Sequence, residues 1–142
     1  MKFLLDTNVV SETMRATPNR HLLRALARHD GQLGISAVTW HELAFSVRRL
    51  PKGARRTALE VRLRDLASDL PAPVPFTGEG ADWLASERAR LEAKGTSISI
   101  EDGVIAATAY VANLTVVTAN TKHFVPFVAV RVVDWLHPSE TR

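Results

Sequence analysis

Short apolar runs that alternate with longer segments of helical periodicity constrain this sequence more than any other feature. The runs are brief and bounded by turn residues, as buried strands are, and they cover residues 2–5, 32–36, 115–118 and 130–133. The segments between them space apolar residues three and four apart, and they cover residues 9–15, 19–29, 37–50, 54–70, 77–94 and 99–113. Strands that alternate with helices favour a parallel sheet joined by right-handed crossovers, with helices on both faces. We therefore predict an α/β fold.

Capping and breaking residues predict where these helices begin and end. Small polar residues stand at the predicted helix starts, namely Asn19, Ser36, Thr77 and Ser99. Pro51-Lys52-Gly53 ends the helix that precedes it. The proline-containing segment 71–76 is expected to be an edge or a short strand. A length of 142 residues suits one core, so we expect a single domain over residues 1–142.

The composition excludes several kinds of chemistry. The sequence has no cysteine, which excludes disulfides, thiolate zinc sites and cysteine nucleophiles and is consistent with a reducing compartment. The first apolar run stops at Asp6, too early for a signal peptide, and no apolar stretch reaches the roughly 20 residues of a membrane helix. We expect a soluble, cytoplasmic protein without a membrane partner. The net charge of +3 weakly favours anionic partners.

Three acidic residues have ordinary explanations when each is considered alone. Asp6 suits a turn, because its side chain can accept hydrogen bonds from nearby backbone amides. Glu42 lies in a predicted helix, where glutamate is usually a solvated residue. Asp102 follows Ser99 at capping-box spacing, and a carboxylate there complements the helix dipole.

Taken together, the same three acids are predicted to meet. Asp6 ends the first strand, and open parallel sheets bind ligands beyond the carboxyl ends of their strands. Glu42 lies about one turn into the helix that follows the second strand, which places it at the same end of the sheet. Asp102 shares a helix face with Ile105 and Ala109, which must be buried. The architecture therefore brings three carboxylates towards one edge.

A cluster of carboxylates needs a compensating charge. Carboxylates a few ångströms apart repel one another by several kcal/mol at an effective dielectric constant near 20, unless protons or cations offset the repulsion. Oxygen ligands without cysteine or paired histidines favour Mg²⁺ or Mn²⁺ over zinc. Such ions activate water for attack on a phosphodiester and stabilise the charge that develops. The acids therefore predict a divalent-metal site.

The sequence resembles a known family, the PIN-domain ribonucleases, and within it the VapC-like toxins of bacterial toxin–antitoxin modules. The resemblance runs through most of the chain in order, over residues 3–12, 35–43, 101–109, 116–124 and 130–135. It implies a three-layer α/β/α sandwich with a central, mostly parallel sheet. It also implies an endoribonuclease dependent on Mg²⁺ or Mn²⁺, inhibited by a VapB-like antitoxin and paired as a homodimer.

The resemblance assigns roles to individual residues. The metal-binding acids of the family correspond to Asp6, Glu42 and Asp102, and its polar supports to Asn8 and Thr118. A fourth acid is frequent in the family where this chain has Asn120. An amide can coordinate a metal ion or hold its water but brings no negative charge, which puts a second tightly held ion in doubt.

Asn120 also supports an alternative function, a catalytically weak nucleic-acid-binding or regulatory module that keeps the fold. His123 is close enough in sequence to assist the site, although a surface or capping role is the simpler interpretation.

Arginines concentrate between residues 48 and 64, and two interpretations stay open. Arg48, Arg49, Arg55 and Arg56 could follow an RNA backbone or could belong to a solvated helix face. Apolar residues of the same region could bind an antitoxin helix or a second copy of the chain, and these are Leu43, Val47, Leu50 and Leu59.

Overall fold

A short parallel sheet forms the centre of the protein, described here from a computed structural model over residues 1–138. Its strands are β1 (Phe3–Leu5), β2 (Leu33–Gly34), β3 (Thr115–Val117) and β4 (Val132–Val133). They lie in the order β2-β1-β3-β4, and each pair of neighbours is parallel. The predicted α/β class is confirmed. The predicted domain also included residues 139–142, which lie outside the described residues.

Six α-helices surround the sheet in residues 1–138, one for each predicted segment. They are α1 (Thr7–Thr13), α2 (Arg20–Arg28), α3 (Ala37–Arg48), α4 (Ala54–Asp69), α5 (Gly78–Ala93) and α6 (Ile100–Ala112), and a 3₁₀ turn follows at Thr121–His123. Asn19, Ser36, Thr77 and Ser99 each accept a backbone amide hydrogen bond at a helix start. Within the described residues, no helix combines the length and apolarity needed to cross a membrane.

Two boundaries differ from the prediction for a physical reason. Helix α1 begins at Thr7 instead of residue 9, because the Asp6 carboxylate accepts the Thr7 amide at 2.8 Å and caps the helix. The second strand ends at Gly34 instead of Ser36, because Ser36 is the N-cap residue of α3. The expected edge strand over residues 71–76 reduces to one parallel bridge between Val74 and Ser36.

Alternating strand residues divide the core into two halves. Leu4 and Val116 are fully buried against α5 and α6, whereas Leu5 and Val117 face the half formed with α1 to α4. Neighbouring residues of a strand point to opposite faces, so two-sided burial explains why both neighbours are apolar in Leu4-Leu5 of β1 and in Val116-Val117 of β3. The predicted three-layer α/β/α sandwich is therefore confirmed.

The contrast between Leu22 and Leu23 on α2 tests this account of the core. Leu22 is fully buried and Leu23 is 43% exposed. Leu22→Ala is expected to lower the free energy of unfolding by about 2–5 kcal/mol, because it leaves a cavity. Leu23→Ala should cost about 0.5 kcal/mol or less. Urea denaturation followed by circular dichroism measures both, and equal losses would contradict the assigned orientation of α2.

Candidate active site

An open cleft of about 630 Å³ lies beyond the carboxyl ends of β1 and β3. Acidic and polar side chains dominate its lining, which consists of Asp6, Thr7, Asn8, Ser11, Glu12, Arg15, Glu42, Ser99, Glu101, Asp102, Asn120 and His123. The cleft thus contains all three acids predicted from the sequence, together with Asn8 and Asn120. It lies where open parallel sheets characteristically bind ligands.

Asp6 is the most firmly held acid in the cleft. Its side chain is buried, and its Oδ1 accepts the Thr7 amide at 2.8 Å. Its Oδ2 accepts the Thr118 hydroxyl at 2.8 Å and the Asn8 amide at 3.1 Å. The side-chain Oδ1 of Asn8 in turn accepts the Ala119 backbone amide at 3.2 Å. The two residues predicted as polar supports therefore join the end of β1 to the end of β3 through Asp6.

Glu42 reaches the cleft from the second turn of α3. The Thr7 hydroxyl, at the start of α1, lies 2.9 Å from its Oε1 and donates to it. Glu42 is half-buried, whereas His41 just before it and Phe45, three residues after it, are exposed. The carboxylate therefore belongs to the inward side of the helix.

Asp102 enters from the first turn of α6, where the Ser99 hydroxyl accepts its backbone amide at 3.1 Å. Its Oδ2 lies 3.3 Å from His123 Nδ1. His123 was interpreted more simply as a surface or capping residue; its side chain is 47% exposed, and it also lines the acid cleft. No short sequence motif joins it to Asp102, so this pairing is visible only in three dimensions.

The acids are close enough to influence one another's protonation. Burial raises the pKa of Asp6 above its ordinary value of 3.8; the hydrogen bonds from Thr118 and Thr7 oppose this rise, and the charge of Asp102 adds to it. Burial also raises the pKa of Glu42 above 4.5, against the Thr7 hydrogen bond and with the charges of Asp6, Glu101 and Asp102. Burial, and to a smaller extent the charges of the neighbouring acids, therefore destabilise the ionised forms of Asp6 and Glu42.

The donor set fits a hard divalent cation. It offers carboxylate oxygens, amide oxygens and one imidazole, around negative charge that a cation would offset. Among residues 1–138, no three or more histidine, aspartate or glutamate side chains are already gathered tightly enough to hold an ion together. Mg²⁺ is usually bound through one or two carboxylates and keeps several waters, so its binding does not require a tight cluster of three acids.

The predicted arginine cluster lies outside this cleft. Arg55 lines a separate hollow, and Arg48 lines a third one. Arg49 lies over the Phe45 ring, while Arg56 donates to Glu60 at 2.8 Å and to the Leu50 carbonyl.

The cation at the rim of the cleft is Arg15, which sequence reasoning missed. Its guanidinium donates to Glu12 at 3.1 Å and its side chain is 70% exposed. Glu12 stood inside the motif of residues 3–12, but that motif alone did not distinguish it from a solvated residue. Its other oxygen accepts the Asn19 amide at 2.9 Å, which ties α1 to the start of α2.

Comparison with known proteins identifies the family. The family model of the PIN domain matches residues 3–126, and the chain belongs to the PIN-domain family. VapC ribonuclease Y4jK of Sinorhizobium fredii is 36% identical over 126 residues, and Toxin FitB of Neisseria gonorrhoeae is 38% identical over 126; each match covers 85% of this chain and 89% of the relative. The DNA-bound VapBC structure from Salmonella typhimurium superposes with a TM-score of 0.84 at 27% identity, over 95% of this chain and 98% of that chain.

The raised pKa of Glu42 predicts a specific dependence of stability on pH. The folded state binds the Glu42 proton more tightly than the unfolded state does. The contribution of Glu42 to the free energy of unfolding therefore falls as pH rises from 4.5 through the raised pKa. Glu42→Gln, which keeps an acceptor for Thr7, avoids this loss. In EDTA at pH 7 it should raise Tm by roughly 1–3 °C, a small effect because solvent screens a half-exposed charge.

Two conditions control this measurement by differential scanning calorimetry. The difference between Glu42→Gln and the parent should vanish below pH 4, where both side chains are neutral. A Tm for Glu42→Gln below that of the parent at pH 7 in EDTA would contradict the assigned repulsion.

Proposed function

We propose that this chain is the ribonuclease toxin of a toxin–antitoxin pair and hydrolyses RNA phosphodiester bonds with the help of Mg²⁺ or Mn²⁺. The observation that carries the proposal is the convergence of Asp6, Glu42 and Asp102 on one cleft of a PIN-domain fold. Relatives named as a VapC ribonuclease and as a toxin support it.

Asp6, Glu42 and Asp102 would hold the metal ion. When bound, the ion would activate a water molecule and stabilise the charge of the transition state. Asp6 provides a fixed anchor because three donors orient its carboxylate. Glu42 is held through one oxygen by Thr7, and Asp102 is partly buried beside His123.

Two further side chains suit the substrate. Arg15 places a guanidinium at the rim, where it would attract a phosphate to a cleft that is otherwise negative. Asn120 presents an amide that can hold a metal-bound water without adding charge. His123, 3.3 Å from Asp102, is positioned to share a proton with groups at the opening.

Cleavage of labelled single-stranded RNA in Mn²⁺ tests the proposed activity. Asp6→Asn should reduce the rate by more than about 100-fold, because loss of supporting residues alone commonly changes metal sites by 10–100-fold. Asp65→Asn, an exposed residue of α4, is the matched control and should cleave at the parental rate.

The same assay defines what would overturn the mechanism. Cleavage that survives EDTA, or equal cleavage by Asp6→Asn, would exclude a metal held by Asp6. RNA binding by the parent without any cleavage in Mn²⁺ or Mg²⁺ would favour the alternative of a nucleic-acid-binding module.

We further propose that a VapB-like antitoxin occupies the hollow beside the cleft. This hollow of about 520 Å³ lies between α1, α3 and α4, and Leu43, Val47 and Leu59 line it. Arg15, Arg55 and Arg62 supply positive charge around it, which suits an amphipathic segment with acidic residues. Arg15 lines both the hollow and the acid cleft, so a segment bound in the hollow would lie beside the entrance of the cleft.

Two alanines of α4 test this partner surface. Ala58 lines the hollow, whereas Ala67 is an exposed alanine at a different hollow of the same helix. Ala58→Trp should fill the space and prevent the cognate antitoxin from restoring growth to cells that express the chain. Ala67→Trp should leave rescue intact. Rescue that is equally efficient for both variants would place the antitoxin elsewhere.

A further inference from the structure

The hydroxyls of Ser36, Thr39 and Thr7 form a chain of hydrogen bonds that ends at Glu42, and we call this chain the hydroxyl line. Ser36 Oγ lies 3.2 Å from Thr39 Oγ1, Thr39 Oγ1 lies 3.2 Å from Thr7 Oγ1, and Thr7 Oγ1 lies 2.9 Å from Glu42 Oε1. Ser36 and Thr39 are fully buried and do not line the acid cleft. Direct contact with RNA or metal therefore does not account for them.

The chemistry of hydroxyl groups determines the direction of this line. A hydroxyl carries one hydrogen, and an ionised carboxylate only accepts. Thr7 must use its hydrogen on Glu42, so the bond between Thr7 and Thr39 has Thr39 as its donor. Thr39 then has no hydrogen left for Ser36, and Ser36 must donate to Thr39. All three hydrogens therefore point towards Glu42.

The backbone provides the origin of the line. Ser36 Oγ accepts the Thr39 backbone amide at 3.1 Å, which is the capping bond of α3. Ser36, Thr39 and Glu42 are spaced three residues apart, so each is a neighbour of the next along the surface of that helix. Thr7 comes from the start of α1. The line thus connects the starts of two helices and ends on a residue of the cleft.

The bonding pattern separates the two oxygens of Glu42. Oε1 receives the Thr7 hydrogen, and no group in residues 1–138 donates to Oε2. A carboxylate held by one oxygen presents the other in a defined direction, and buried chains of hydrogen bonds strengthen one another. Supporting residues of this kind orient metal ligands in proteins.

We propose that Thr39 is a positioning residue that orients the Glu42 carboxylate through Thr7, an inference that rests on the proposed metal-dependent function. Thr39 does not line the cleft. It acts only by donating a hydrogen bond to the Thr7 hydroxyl, which in turn donates to Glu42. Its role depends on the hydroxyl oxygen and not on its methyl group.

Serine and alanine at position 39 isolate that oxygen, because the two side chains differ by it alone. The Kd for Mn²⁺, measured by electron paramagnetic resonance of the free ion, should rise about 10-fold in Thr39→Ala. It should stay within about 2-fold of the parent in Thr39→Ser. Thr108 is the matched control, since its buried hydroxyl donates to the Val104 carbonyl on α6 and does not contact the line. Thr108→Ala should bind Mn²⁺ as the parent does.

A double variant tests whether Thr39 acts through Thr7. If it does, Thr39→Ala should add little to the loss of Mn²⁺ affinity already caused by Thr7→Val. Full additivity would overturn the proposed path, as would equal Mn²⁺ affinities of Thr39→Ala and Thr39→Ser. If Thr39→Ala does not fold by circular dichroism, Thr39→Val replaces it, because valine keeps the volume and lacks the hydroxyl.

Asp6→Asn in the same titration separates the two proposals. Parental Mn²⁺ affinity in Asp6→Asn would show that the proposed metal site itself is wrong. Loss of affinity in Asp6→Asn together with parental affinity in Thr39→Ala would overturn only the role of Thr39.

Discussion

The buried carboxylate of Asp6 is the interaction on which the functional end of this molecule depends. It joins three parts of the fold, because it accepts the first amide of α1, the Thr118 hydroxyl after β3 and the Asn8 side chain. A buried charge is costly unless it is hydrogen-bonded, and these three donors offset that cost. The same bonds fix the position at which β1, α1 and β3 meet.

The neighbouring acids act against this stabilisation. Burial is the main cause of the raised pKa of both Asp6 and Glu42; the charge of Asp102 adds to the rise for Asp6, and the charges of Asp6, Glu101 and Asp102 add to it for Glu42. The fold therefore holds negative charge together at a cost that a bound cation would remove. Arg15 and His123 are the only cationic or potentially cationic side chains that line the described cleft, and both are exposed. Local repulsion of this kind is common at functional sites, where pKa values shift most.

The elements of the fold were predictable because periodicity and capping are local properties. Each predicted helix is present, and the caps at Asn19, Ser36, Thr77 and Ser99 are confirmed. Two of the errors in element boundaries concern residues with two competing roles. Asp6 ends a strand and also caps α1, while Ser36 leaves the second strand to cap α3, so both boundaries moved towards the caps. Charge density along a helix does not reveal which face meets a partner, so the sequence did not show that Arg48, Arg49, Arg55 and Arg56 lie outside the cleft.

The sequence by itself determined the order of strands and helices along the chain and the two-sided burial of the sheet. It also determined which acids the chain can bring to one edge of the sheet. All of these depend on the spacing of residues along the chain. The family resemblance assigned Thr118 to the site, but only the tertiary structure decided that its hydroxyl donates to Asp6 across 112 positions. Only the tertiary structure likewise decided that His123 pairs with Asp102 and that Arg15 lies at the opening of the cleft. Such pairings depend on strand register and on the rotation of each packed helix, which arise when the whole core closes and have no counterpart in local spacing.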